Sequence, residues 1–180
     1  ELLLHSPTEG LTPLREAISG HMLTRGIHAA VPEILVTSGS QQGLDLVARV
    51  LLQTGDTVIV EEPSYFGALE VFRAAGCRLV GVPADAEGMR TDVLESVLAR
   101  QRAALIYTLP TFQNPSGEVL GLARRRHLLE LAYRSETPVL EDDPYGDLHY
   151  DGDPLPSLRA LDGREHVIYL SSFSKILFPG

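Results

Sequence analysis

The chain has 180 residues, 44% apolar and 22% charged, with a formal charge of −9. That balance fits one globular domain with a core of its own. It argues against a surface that grips nucleic acid through phosphate neutralisation, and no apolar run reaches the ~18–20 residues of a membrane span. One cysteine, Cys77, excludes an intrachain disulfide framework and a cysteine-based zinc cluster, and reads as a small core residue. Residues 1–12 show no signal-peptide pattern, so the expected location is cytoplasmic. The chain opens without Met and stops at "LFPG", which reads as a piece cut from a longer protein.

Apolar clusters alternate with amphipathic stretches along the sequence. Residues 12–26 predict a helix with Thr12 as N-cap, Pro13 in the first turn and Gly26 at the end. Residues 33–37, "EILVT", predict a strand, and 40–55 a helix capped by Ser40. A strand over 56–62, a helix over 65–76 and a strand over 77–83 follow, then a turn at 85–89. A helix over 91–100, a strand over 103–108, a helix over 123–135, a strand over 138–143 and a last strand over 166–170 complete the series. Strands separated by helices predict an α/β fold, a mostly parallel sheet with helices on both faces.

In such sheets ligands gather beyond the carboxyl ends of the strands. Those positions hold Ser38, Gly39, Ser40 and Gln41 after the first predicted strand, and the loop "LPTFQNPSG" with Asn114 after residue 108. Asp142 and Asp143 stand at the end of "PVLEDD", and Ser171, Ser172, Ser174 and Lys175 follow "HVIYL". Together they offer a helix-capping loop, an amide, carboxylates and a hydroxyl-plus-amine cluster, the donor set for a phosphorylated, partly cationic ligand.

Each piece also has a plain reading. "SGSQQG" serves as a glycine turn before a helix, and matches neither a dinucleotide nor a nucleotide-triphosphate loop. "EDDPYGD" serves as a solvated strand end, a divalent-metal site or the partner of a cationic ring nitrogen; no histidine stands at ligand spacing, and no metal is expected. "QNPSG" is a turn, and "RRR" at 124–126 a solvated helix face. Ser172 and Lys175 make S-x-x-K, but the S-D-N and K-T-G partners of a serine acyl-transfer enzyme are absent. Lys175 is the one lysine among fifteen basic residues, the rest being arginine. A guanidinium stays protonated and is a poor nucleophile, whereas an amine condenses with an aldehyde.

Seven segments in order carry a family resemblance: "GLTPLREAI", "VTSGSQQGLDL", "GDTVIVEEPSYFG", "TLPTFQNPSG", "LEDDPYGDL", "IYLSSFSK" and "FPG". The chain resembles the fold-type-I, pyridoxal-phosphate-dependent aminotransferases of class I/II. Within them it is similar to 2-aminoadipate-type transaminases and to the aminotransferase-like domain of MocR-type (GntR family) regulators. The resemblance implies a three-layer α-β-α fold, with residues 1–180 as the large cofactor-binding domain and the small C-terminal domain outside the chain. It implies that Lys175 forms the aldimine with pyridoxal 5'-phosphate and shuttles the substrate proton. It pairs Asp142 with the pyridine nitrogen, directs Asn114 and Tyr145 to the phenolic oxygen, and stacks Tyr65 on the ring. Ser40, Gln41, Ser172 and Ser174 take the phosphate, and the bond before Pro115 is cis. By the same resemblance Lys175, Asp142 and Tyr65 are the catalytic set. The substrates are an amino acid and a 2-oxo acid, and the protein is a homodimer with the cofactor site at its interface. His5 stands where the family commonly has a tyrosine that reaches the partner's cofactor. The alternative is a regulator that senses the cofactor or an amine, with its DNA contact upstream of residue 1 and none made by this segment.

Overall fold

A computed structural model describes residues 7–177. Its strands are β1 (Thr57–Glu62), β2 (Arg78–Asp85), β3 (Gly88–Met89), β4 (Leu105–Thr108), β5 (Val139–Asp142) and β6 (Val167–Leu170). They form one sheet in the order β3-β2-β1-β4-β5-β6. β1 pairs in parallel with β2 and β4, β4 with β5, and β5 with β6; only the β2–β3 hairpin at the edge is antiparallel. The helices among the described residues are α1 (Thr12–Thr24), α2 (Ser40–Leu51), α3 (Phe66–Ala74), α4 (Thr91–Leu98), α5 (Leu122–Ser135) and α6 (Leu158–Leu161).

The central strands are buried on both faces, so their side chains alternate between two cores. Val58 and Val60 of β1, Leu105 and Tyr107 of β4, and Leu140 of β5 join Leu44 and Ala48 of α2 and Ala68 and Phe72 of α3. Ile59, Ile106 and Val139, from the same three strands, face Leu94 of α4, Leu128, Leu129 and Ala132 of α5, and Leu158 of α6. The layering is therefore the predicted three-layer one, and it places the strands' carboxyl ends at one rim.

Several local expectations are corrected. Residues 33–37 are not a strand: a 3-10 turn at Val31–Glu33 leads into an extended stretch whose Val36 amide bonds only to Glu9 O, so no ladder builds on it. Leu11, not Thr12, caps α1. Gly39, not Ser40, caps α2, at φ 120°, a left-handed value that favours glycine. The turn at 85–89 carries β3, and α6 was not anticipated. His5 and the "FPG" motif at 178–180 lie outside the described residues.

Candidate active site

The acids at the end of β5 are not solvated. Glu141, Asp142 and Asp143 are each at most 2% exposed. Glu141 accepts from the Leu158 and Arg159 amides at the start of α6, at 2.7 and 2.8 Å. Burial pushes its carboxyl up to about 7, with Asp143 adding to the rise. Asp143 Oδ2 accepts from Arg25 Nη2 at 2.6 Å and from the Tyr169 hydroxyl at 2.9 Å. Burial alone lowers the Arg25 pKa, but Tyr169 and Asp143 outweigh it and the guanidinium is held raised. Asp142 Oδ2 accepts from the Tyr107 hydroxyl of β4 at 2.8 Å, whereas Asp142 Oδ1 is buried with no partner. Burial pushes the Asp142 carboxyl up to about 6; Tyr107 pulls it down and Asp143 pushes it further up.

The loop after β4 is held from beneath. Glu61, the fifth residue of β1, accepts from Thr108 Oγ1 at 2.9 Å, the Leu109 amide at 3.2 Å and Gln113 Nε2 at 3.3 Å. It is 3% exposed, and burial pushes its carboxyl up to about 7. Gln113 also donates to Pro63 O at 2.7 Å, and its Oε1 accepts from the Ser116 amide and hydroxyl at 2.8 and 2.7 Å. Gln113, before Asn114, is held by these bonds, and the Asn114–Pro115 peptide bond is cis, as expected. A second cis bond, Glu62–Pro63, was not expected. Arg125 of α5 clasps both ends of the loop. Its Nε donates to Leu120 O at 2.8 Å, Nη2 to Pro110 O at 2.7 Å and Thr111 Oγ1 at 3.0 Å, and Nη1 to Pro156 O at 2.9 Å. The "RRR" run is thus no uniform solvated face: Arg125 is fully buried and Arg126 exposed.

Two clefts open at this rim. Asn114 and Tyr145 line one of about 610 Å³, with Phe112, Leu148, His149 and Tyr150. The other, about 580 Å³, is lined by Ser38 and Gly39 before α2 and by Ser171, Ser172 and Ser174 after β6. Ser172 donates to Ser174 Oγ at 2.9 Å and accepts from the Ser174 amide at 3.1 Å, which shapes the 3-10 turn Phe173–Lys175. Ser40 opens α2, and Gln41 Nε2 donates to Gly67 O at 3.1 Å, just after Tyr65. Tyr65 caps α3 and packs on the core that holds Tyr107. Lys175 is exposed at the end of the 3-10 turn, one residue beyond the cleft lining. Of the sequence-predicted residues, Asn114 and Tyr145 line one cleft and Ser172 and Ser174 the other, beside Gly39; Ser40 and Gln41 open α2 next to Gly39, and Asp142 is buried at the end of β5.

The sequence profile of the family described as aminotransferase class I and II matches residues 1–177. The chain belongs to that family. Among class I and II relatives, a 2-aminoadipate transaminase of Thermus thermophilus is 45% identical over 181 residues, covering 99% of this chain and 44% of that protein. The probable rhizopine catabolism regulatory protein MocR of Rhizobium meliloti is 34% identical over 92% of this chain and 33% of its own length. A crystal structure of Pyrococcus horikoshii kynurenine aminotransferase in complex with PMP, with KYN as substrate and KYA as product, superposes with a TM-score of 0.95 at 45% identity, covering 99% of this chain and 45% of that one. The chain spans less than half the length of these proteins.

Sequence reasoning missed Tyr107, Glu61, Gln113 and Arg125 as supports, and missed Arg25 and Tyr169 as the partners of Asp143. For Arg125 a signal existed. Positions 125, 128, 129 and 132 share one helix stripe, and all four are buried.

Proposed function

We propose that the protein carrying this chain is a pyridoxal-phosphate-dependent aminotransferase, moving an amino group from an amino acid to a 2-oxo acid. Residues 1–180 form its cofactor-binding large domain. One observation carries the reading: Asp142 presents a buried, unpartnered carboxylate oxygen and, unlike Asp143 with its own unpartnered Oδ1, has no arginine on the other oxygen, an incomplete site that a protonated ring nitrogen would complete. The rest of the donor set fits the same group. The start of α2 with Ser40 and Gln41, together with the Ser172 and Ser174 hydroxyls, supplies the dipole and donors a phosphate needs. Asn114 and Tyr145 line a single cleft as the pair that would hold the phenolic oxygen, and Tyr65 supplies an aromatic face.

When bound, the cofactor supplies an electron sink for charge developing at the substrate Cα. In this reading Lys175 holds its aldehyde and moves the proton at that carbon, Asp142 keeps the ring nitrogen protonated, and the serines and α2 anchor the phosphate. In this reading the protein is a cytoplasmic homodimer with the site at the subunit interface. Absorbance tests the reading: full-length protein loaded with pyridoxal phosphate should show a visible band of the lysine-bound cofactor, lost in Lys175→Ala. Equal covalent loading in both would overturn it.

The identity with MocR supports a second reading, an effector domain of a transcriptional regulator that senses the cofactor or an amine. Excess amino acid separates the two. It should bleach the visible band in an aminotransferase and leave a lasting band in a sensor.

A further inference from the structure

The group that touches Asp142 comes from the neighbouring strand, not from the motif that carries the aspartate. Tyr107 is fully buried, and its hydroxyl donates to Asp142 Oδ2 at 2.8 Å. Phe72 of α3 meets its ring edge-on, with centroids 5.5 Å apart and planes at 69°. Phe72 thus packs against the ring while the Tyr107 hydroxyl reaches Asp142. No salt bridge reaches Asp142 among the described residues. Negative charge crowds it: Asp143 acts on Asp142, and Glu61 on Tyr107. A dry carboxylate beside like charges tends to take up a proton, and a donor aimed at its charged form opposes that.

We propose that Tyr107 is a positioning residue for the reaction: its hydroxyl occupies Asp142 Oδ2, keeps the carboxylate ionised, and leaves Oδ1 as the oxygen that faces the cofactor's ring nitrogen. This rests on the role given to Asp142 above. Without the hydroxyl, Asp142 becomes the stronger base and draws the proton off the ring nitrogen. A bond to a charged group is strong enough to change that proton balance about ten-fold or more. Tyr107 touches neither cofactor nor substrate in this account; it acts through Asp142.

The test uses full-length protein loaded with pyridoxal phosphate carrying ¹⁵N in the ring, read by ¹⁵N NMR at one pH. Wild type should give the resonance of a protonated ring and Asp142→Asn that of a neutral one. Tyr107→Phe, which removes one oxygen and keeps the ring against Phe72, should move toward the neutral position. Phe72→Leu loosens the packing but keeps the hydroxyl, and should stay with wild type. If Asp142→Asn moves and Tyr107→Phe coincides with wild type, the Tyr107 proposal falls alone. An Asp142→Asn resonance at the wild-type position overturns the role of Asp142 and the proposal with it. A Phe72→Leu shift equal to that of Tyr107→Phe assigns the effect to packing and also overturns the proposal. If Tyr107→Phe fails to hold cofactor, 3-fluorotyrosine at position 107 strengthens the donor in the same shape. In a pH series, the pH at which the ring leaves its protonated resonance must then lie higher than in wild type, and an unchanged pH overturns the proposal.

Discussion

Replacing Arg125 with Met should free the Asn114 loop while leaving the helix beneath it intact. The guanidinium donates to four oxygens, and the substitution does not strand them equally. Pro110 O keeps the Leu120 amide at 2.9 Å, and Thr111 has a rotatable hydroxyl. Leu120 O and Pro156 O lose the side-chain donor that holds them. Each stranded carbonyl costs about 1–3 kcal/mol, and the attraction to Glu141 goes too. Relief of the buried guanidinium's desolvation offsets part of this. A net loss of about 3 kcal/mol follows, carried mostly by residues 109–121. Native-state hydrogen exchange on the full-length protein reads it directly, at the bonded amides of Gln113, Gly117 and Leu120. They should exchange on the order of 100-fold faster. Arg125→Lys should fall between, since one ammonium cannot span acceptors on three segments. Arg126→Met, an exposed neighbour, should change exchange by under about three-fold. Equal effects of Arg125→Met and Arg126→Met would refute the clasp.

Two further outcomes follow from other buried charges. A Cβ on Gly146 would land on Arg25 Nη2 and 2.5 Å from Asp143 Oδ2. Gly146→Ala should therefore break the Arg25–Asp143 pair and cost about 3 kcal/mol; urea unfolding of Gly146→Ala, Arg25→Ala and the double variant should show strongly non-additive losses, and additive ones would mean the pair was never disturbed. Glu61 and Glu141 have folded pKa values of about 7 against an ordinary 4.5, so the folded protein binds more protons than the unfolded chain between those values. Their contribution is therefore fully present below pH ~4.5, declines as pH rises toward 7, and is flat above, by about 3 kcal/mol each at most. Unfolding midpoints from pH 5 to 8 should trace that fall, with a shallower slope in Glu61→Gln; a stability that rises across this range by the same amount would contradict the burial argument.

Most of the architecture was legible because it depends on periodicity. Each central strand was visible as an apolar run, and α5 as a helical stripe. The 33–37 segment looked like a strand by composition, but a strand needs a neighbour, and no local pattern reports one. The site divides the same way. Asp142, Asn114, Ser172 and Lys175 stand at strand ends and carry recognisable chemistry. Tyr107 and Glu61 sit inside runs that read as plain core, and only the register of β1, β4 and β5 shows what they reach. Arg125 was hidden by its neighbours, since three arginines in a row look alike until the helix phase singles out the middle one.

The sheet changes direction between β1 and β4, where the chain runs outward to β2 and β3 and then returns across β1. Open α/β sheets usually part there and admit a ligand. In this molecule Glu61 bridges the gap to Thr108, Leu109 and Gln113, so the natural opening is plugged by an acid. The rim is consequently sorted by sign: carboxylates hold its middle, while amides and hydroxyls hold the flank formed by α2 and the turn after β6. In the reading proposed above, a guest with an anionic tail and a cationic ring is complementary to this arrangement in one orientation.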